Sequence, residues 1–178
     1  MYKPTVSWGD DILNSRDINA IFAELESEWE SLDDYLKEAQ DDLKIFCHDN
    51  KIPTTESYED FDYMVVEDED IRKELVDLVE AVKTCELDIE DFDKEELETF
   101  RSVVSEGELY SSDWNGGEAL ILESYFQDYA KELAEDLGSI SGKEEWPLNH
   151  IDWESAADDM KQDYSSIEVE GYTYYVRS

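Results

Sequence analysis

The chain has 178 residues, of which 50 are Asp or Glu and 14 are Lys or Arg, giving a formal net charge of -36 at pH 7. That balance opposes direct binding to nucleic acid, because phosphate contacts need Lys and Arg. Disorder is opposed by a hydrophobic content of 40% and by 5 Trp, 11 Tyr and 6 Phe, enough large side chains to fill a core.

A chain of this length buries one sizeable core and has room for at most two small domains. Like charges on a compact surface repel one another and lower stability, so such acidity on a foldable chain points to the charge itself as the functional feature. Duplex DNA carries one charge per roughly 1.7 Å of axis, so a net charge of this size corresponds to about 60 Å of duplex. Two other origins of acidity fit less well. A salt-adapted surface avoids Lys, whereas most basic residues here are Lys. A calcium loop needs a Gly at its sixth place, and the nearest acidic run, Asp88-Ile89-Glu90-Asp91-Phe92-Asp93-Lys94-Glu95, has none.

Met1-Tyr2-Lys3-Pro4 leads into polar sequence without the apolar core of a secretory signal, and no stretch approaches a membrane span. A cytoplasmic, reducing setting without a membrane partner is expected. Asn14 or Ser15 then caps a helix predicted to run to about Cys47. Within it Ile18, Phe22, Leu25, Trp29, Leu32, Leu36, Ala39, Leu43 and Phe46 alternate steps of four and three, a coiled-coil period. With Phe22, Trp29, Leu36 and Leu43 at the first apolar position of each heptad, Glu26, Glu28, Asp33 and Asp42 flank the seam. A parallel homodimer would therefore set like charges opposite each other. The seam is expected to pack on the rest of the same chain or on an antiparallel copy.

The stretch from Asp49 to Thr55, with Pro53, reads as a break before the acidic and aromatic run Tyr58 to Asp70, in which Met64-Val65-Val66 fits either a short strand or a buried loop. A second helix is expected from about Glu69 to Thr84 on Ile71, Leu75, Leu78, Val79 and Val82, and a third from about Lys94 to Ser105 on Leu97, Phe100 and Val104. Asn115-Gly116-Gly117 marks a turn. Glu118 to Leu137 is predicted as one long helix with Leu122, Tyr125, Phe126, Tyr129, Leu133 and Leu137 inward and Gly138 as its stop. A Gly/Ser loop leads to Trp146-Pro147, and Asp152 caps a last helix to about Tyr164 with Trp153, Ala156, Ala157 and Met160 inward. The period then falls to two: Ile167 and Val169 alternate with Glu168 and Glu170, Gly171 allows a tight turn, and Tyr172, Tyr174 and Val176 alternate with Thr173, Tyr175 and Arg177. These elements define a mainly α protein of the α+β class, an elongated helical body with a C-terminal β-hairpin or small antiparallel sheet. Its expected segments are 1–66, 67–113 and 114–178.

No catalytic constellation stands out, and the chain is not expected to be an enzyme. His48 adjoins Cys47, and neighbouring residues do not converge easily on one metal. His150 stands alone before the last helix, and Gly116-Gly117 lacks the Lys-Ser/Thr of a phosphate loop. Carboxylate pairs for glycoside hydrolysis cannot be singled out among so many acids, and no Lys or His is grouped with them as a nuclease would need. Neither a cofactor nor a metal is expected. Cys47 and Cys85 read as small buried hydrophobes.

In the C-terminal third, Gly117-Glu118-Ala119-Leu120-Ile121, Glu123-Ser124-Tyr125-Phe126 and Tyr129-Ala130-Lys131-Glu132-Leu133-Ala134-Glu135-Asp136 resemble the ArdA-type antirestriction proteins and their phage-borne relatives. Trp146-Pro147-Leu148-Asn149-His150-Ile151-Asp152-Trp153-Glu154, Ala156-Ala157, Asp163-Tyr164 and the closing Gly171-Tyr172-Thr173-Tyr174-Tyr175-Val176-Arg177 extend the likeness, as does Asn14-Ser15-Arg16-Asp17-Ile18 near the start. The resemblance covers about 114 to 178. It implies a DNA mimic, similar in charge to bent duplex and acting as a dimer, that occupies the DNA channel of a type I restriction-modification enzyme. The N-terminal β-rich domain of a full ArdA is absent and the heptad helix stands in its place; related decoys are aimed at CRISPR effectors or other DNA-handling machines, which are the further targets the resemblance implies.

The expected partner is accordingly a basic DNA-binding protein complex of a host defence system, with a homodimer as one assembly. Phosphate substitutes are expected at Glu24, Glu28, Asp34, Glu38 and Asp41 on the first helix, at Glu67, Asp68, Glu69 and Asp70 before the second, and at Asp88, Glu90, Asp91 and Asp93. A last set is Glu123, Asp128, Glu132, Glu135 and Asp136. The alternative is a phage or plasmid adaptor that binds a partner through the heptad seam, with Trp29 and Leu36 as its anchors.

Overall fold

Asn14 starts the first helix as expected: its Oδ1 accepts a hydrogen bond from the Arg16 N–H at 2.9 Å. Ser15, the other candidate cap, is fully buried and does something else. Its Oγ donates to the Trp114 carbonyl at 2.5 Å and accepts from the Glu118 N–H at 2.7 Å, tying the helix start to a segment about a hundred residues away. The computed structural model describes residues 4–53, 63, 66–141, 145, 146 and 148–178. Most of Tyr58 to Asp70, including Met64 and Val65, and Pro147 of the Trp146 loop lie outside the described residues.

The element order is β1 (Ile12–Asn14), α1 (Ser15–Asp49), α2 (Glu69–Asp91), α3 (Lys94–Tyr110), α4 (Trp114–Gly117), β2 (Ala119–Leu122), α5 (Phe126–Asp136), α6 (Trp153–Met160), β3 (Tyr164–Val169) and β4 (Tyr172–Arg177). Single 3-10 turns precede α5 and follow α6. The protein is mainly helical with a small antiparallel sheet, the fold class read from sequence.

Two compact units form, one from 1–24 with 95–178 and the other from 25–94. They cut across the expected segments 1–66, 67–113 and 114–178, because the first strand pairs with a strand more than a hundred residues later. The 25–94 unit is an antiparallel pair of helices. Leu43 and Cys47 of α1 are buried with Val66, Leu75, Val79 and Val82, while Leu36, Ala39 and Phe46 pack against this cluster. At the other end Trp29 meets Phe92, with ring centroids 5.4 Å apart, and Lys94 Nζ lies 4.4 Å from the Trp29 ring centroid. The heptad seam therefore packs on the same chain, the first of the two arrangements its charge pattern allowed.

The other unit is built on a four-stranded sheet in the order β1-β2-β4-β3, with every neighbouring pair antiparallel. The hairpin read from the C-terminal sequence is present. Its two-residue turn places Glu170 at φ 51° and Gly171 at φ 80°, the left-handed pair whose twist matches the flanking strands. The predicted long helix Glu118 to Leu137 is not formed. Ala119–Leu122 is instead an inner strand, and the helix begins only at Phe126. Four successive apolar residues leave no solvent face for a surface helix, whereas a strand between two others buries both faces, and Leu120, Ile121 and Leu122 are all buried. Leu137, expected inward, is 73% exposed, because α5 ends one residue earlier. Gly138 stops it at φ 69° as expected. α2 and α3 each run a turn or more beyond their expected ends, and α6 ends short of Tyr164, which begins β3.

One sheet face carries Ile121, Tyr164 and Tyr175, covered by Phe126 and Ala130 of α5 and Ala157 of α6. Tyr164 and Tyr175 both meet the Phe126 ring edge-on at 5.1 Å. The opposite face buries Leu13, Leu120, Ile167, Val169, Tyr174 and Val176, and Val169 shares a groove with Val103 of α3. The Tyr174 hydroxyl accepts from the Gly9 N–H at 2.8 Å and donates to the Asp10 carbonyl at 3.1 Å.

Candidate functional site

A helix whose apolar stripe is committed to a core must turn its remaining residues to water. On α1 that leaves Glu24, Glu28, Asp34, Glu38 and Asp41 exposed, with Asp34, Glu38 and Asp41 opposite the Leu36 and Leu43 stripe and Glu24 and Glu28 beside it. Asp42 joins them. At 1.5 Å per residue the five carboxylates from Glu28 to Asp42, all within one unit, span about 21 Å, one per about 5 Å. A single strand of duplex DNA carries one charge per 3.4 Å, so these exposed carboxylates reach about two-thirds of that linear density. Lys37 and Lys44 flank the face. Lys37 Nζ lies 2.5 Å from Asp33 and 3.8 Å from Asp34, and Lys44 Nζ 3.1 Å from Asp41. The hydrogen bond to Asp33 holds the Lys37 ammonium above its ordinary value. Exposed pairs of this kind contribute about 0–1 kcal/mol each.

The acids around α2 divide by position. Glu67 and Asp68 precede it, and Asp68 is its N-cap, accepting from Asp70 N–H at 3.0 Å and Ile71 N–H at 3.2 Å. Glu69 and Asp70 occupy the first turn, where the helix dipole favours anions. These four are exposed, and their placement also has a helix-starting explanation. Asp88, Glu90 and Asp91 are different: they stand in the last turns of α2, where the dipole disfavours anions, and no basic residue occupies its final turn. Asp93 follows in the connection to α3 and is exposed.

In the unit that contains the sheet, Asp128, Glu132, Glu135 and Asp136 occupy the exposed side of α5. Glu123 lies in the preceding 3-10 turn and not on the helix as expected, and it accepts from the Tyr175 hydroxyl at 3.3 Å. Glu132 accepts from the Tyr125 hydroxyl at 2.7 Å. That hydrogen bond, which ionisation of the phenol would destroy, pushes Tyr125 up to about 12. Glu135 and Asp136 again close a helix with no basic residue in its last turn, as do the ends of α3 and α6.

Every acid proposed from sequence is thus exposed, but the set is divided between units. Residues from Glu28 to Asp93 belong to the helical pair, and Glu24 with Glu123 to Asp136 to the other. Sequence reasoning placed Asp42 only beside the seam and passed over Asp77 and Glu80. Asp77 and Glu80 are exposed on the side of α2 away from Leu75, Val79 and Val82 and share that side with Asp88 and Asp91. The same helical period that identified the apolar stripe would have found them.

Among the described residues no group of three or more His, Cys, Asp or Glu side chains is arranged to hold a metal ion, and no helix is long and apolar enough to cross a membrane. Cys47 is buried and Cys85 partly so, and both are free. Burial pushes the Cys47 thiol above its ordinary value. His48 and His150 are exposed, His48 with its Nδ1 at 3.1 Å from Asp49. Comparison with protein-family models, curated proteins and solved structures finds no match to this chain.

Proposed function

We propose that the protein is a DNA mimic: its acidic helix faces occupy the DNA-binding site of a basic host defence enzyme and exclude the nucleic acid. The observation that carries this reading is the placement of acids where helix chemistry disfavours them. Asp88, Glu90 and Asp91 at the end of α2 and Glu135 and Asp136 at the end of α5 each oppose the local dipole, at about 0.3–1 kcal/mol per charge. A sequence shaped only for stability would place Lys or Arg there. Retained anions at such positions fit selection on surface charge, and the linear density along α1 supports a phosphate-like ligand for a basic channel.

The likeness of 114–178 to ArdA-type proteins favours a type I restriction-modification enzyme as the target, with a CRISPR effector as the second candidate. The alternative of an adaptor acting through the heptad seam draws no support from a seam whose Leu36 and Leu43 lie against α2.

The test is an electrophoretic competition. A purified type I methyltransferase complex and a CRISPR effector are each offered labelled duplex with increasing protein, at several salt concentrations. Displacement of DNA that weakens steeply with salt is expected, and replacing Asp34, Glu38, Asp41, Asp42, Asp77, Glu80, Asp88 and Asp91 by amides should abolish it. Displacement unchanged by these substitutions, or a ternary complex with DNA still bound, refutes the reading.

A further inference from the structure

The two edges of the sheet are protected very differently. β1 offers a pairing edge of three residues, Ile12–Asn14, and then turns into α1. β3, at the opposite edge, is six residues long and contains no Pro or Lys, the usual devices that block strand addition. Its pairing pattern follows from the turn. Val169 and Tyr172 close a two-residue hairpin, so Val169, Ile167 and Ser165 bond inward to β4, a phase that the Ser178 N–H to Asp163 carbonyl bond of 3.1 Å continues. The backbone N–H and C=O of Ser166 and Glu168 and the C=O of Tyr164 consequently point away from the sheet, the Tyr164 N–H donates to the Lys161 carbonyl, and the Ser166 and Glu168 side chains are exposed.

An open groove of about 340 Å³ lies at the hairpin end of this edge, between Glu168, Val169 and Glu170 on one side and Glu98, Thr99 and Ser102 of α3 on the other. Glu98 is paired with Arg101 at 2.5 Å, which leaves Glu168 and Glu170 as the acidic rim.

We infer that the β3 edge is a docking strand for an extended, Lys- or Arg-bearing segment of a partner protein, which adds to the sheet as a fifth strand beside β3. Main-chain hydrogen bonds to Ser166, Glu168 and the Tyr164 carbonyl supply the pairing, and Glu168 and Glu170 select for positive charge. A second copy of this chain is the disfavoured occupant. Antiparallel self-pairing about Ser166 would bring Asp163 of the copy opposite Val169, beside Glu168 and Glu170, and each copy carries a formal charge of -36. The same charge that keeps copies apart attracts a basic strand. This surface is independent of whether the helix faces imitate DNA.

The experiment follows backbone amide hydrogen exchange by NMR in the full-length protein, with a synthetic peptide of about eight residues alternating Lys and Thr as the probe. Saturating peptide should slow exchange at the Ser166 and Glu168 amides by about tenfold or more while changing the α1 amides little. The same Lys/Thr peptide N-methylated at every backbone nitrogen, equal in charge but unable to donate ladder bonds in either phase, should give no such protection. Ser166→Pro removes only an outward N–H and should weaken binding of the Lys/Thr peptide by about tenfold. Equal protection by the N-methylated peptide, protection confined to α1 and α2, or a β3-edge homodimer without peptide each overturns the proposal. The comparison of the two peptides on the unmodified protein decides it even if Ser166→Pro does not fold.

Discussion

Gly107 lies within α3, where replacing Gly by Ala ordinarily stabilises a helix by about 0.5–1 kcal/mol. Here the sign should reverse. A Cβ at position 107 would sit 2.3 Å from Cζ3, 2.4 Å from Cε3 and 2.5 Å from Cη2 of Trp114, about 1 Å inside van der Waals contact with three ring atoms. The ring has little room to retreat. Trp114 is 1% exposed, its Nε1 donates to Asn19 Oδ1 at 2.8 Å, and its carbonyl is held by the Ser15 hydroxyl. Overpacking of this kind costs about 3 kcal/mol, which the helix gain reduces to a net loss of about 2 kcal/mol. Urea denaturation followed by tryptophan fluorescence should show the midpoint of Gly107→Ala falling by about 1 M at unchanged slope. In a Trp114→Ala background the ring is gone, and the same substitution should be neutral or stabilising, so the double-mutant cycle isolates the contact. A wild-type background that tolerates Gly107→Ala without loss would refute the reasoning.

Ser15→Ala leaves the Trp114 carbonyl and the Glu118 N–H without their hydroxyl partner and should lower stability by about 2–4 kcal/mol, read from the same denaturation curves. Ser165→Ala, which alters an exposed hydroxyl contact with Ser178, should change it by less than about 0.5 kcal/mol. With a net charge of -36, raising NaCl from about 0.05 to about 0.5 M should increase the melting temperature by about 5 °C, and a salt-independent melting temperature would contradict self-repulsion as a major opposing force. In an alkaline titration monitored by tyrosine absorbance, Tyr125→Phe should remove a group that ionises near 12. Because its folded value is raised, the stabilisation from the Glu132 bond is fully present below the ordinary tyrosine range and is lost as pH climbs through about 12.

What the sequence determined by itself was set by period. The four-three spacing from Ile18 to Phe46 fixed α1 and its buried stripe, the two-residue alternation around Glu170-Gly171 fixed the terminal hairpin, and each apolar stripe fixed which acids face water. These are local properties, because a residue's face on a helix or strand depends only on its neighbours in the chain. Tertiary structure decided the identity of segments whose local pattern was ambiguous. Ala119–Leu122 suits a buried helix turn as well as a strand, and it became an inner strand only because β1 and β4 cover its two edges. The same holds for Ile12–Asn14, too short to carry a period and meaningful only once paired with Ala119–Ile121. Ser15 illustrates the point at one residue: as a helix cap it was legible, but its buried bridge to Trp114 and Glu118 depends on partners that only folding brings within hydrogen-bond reach.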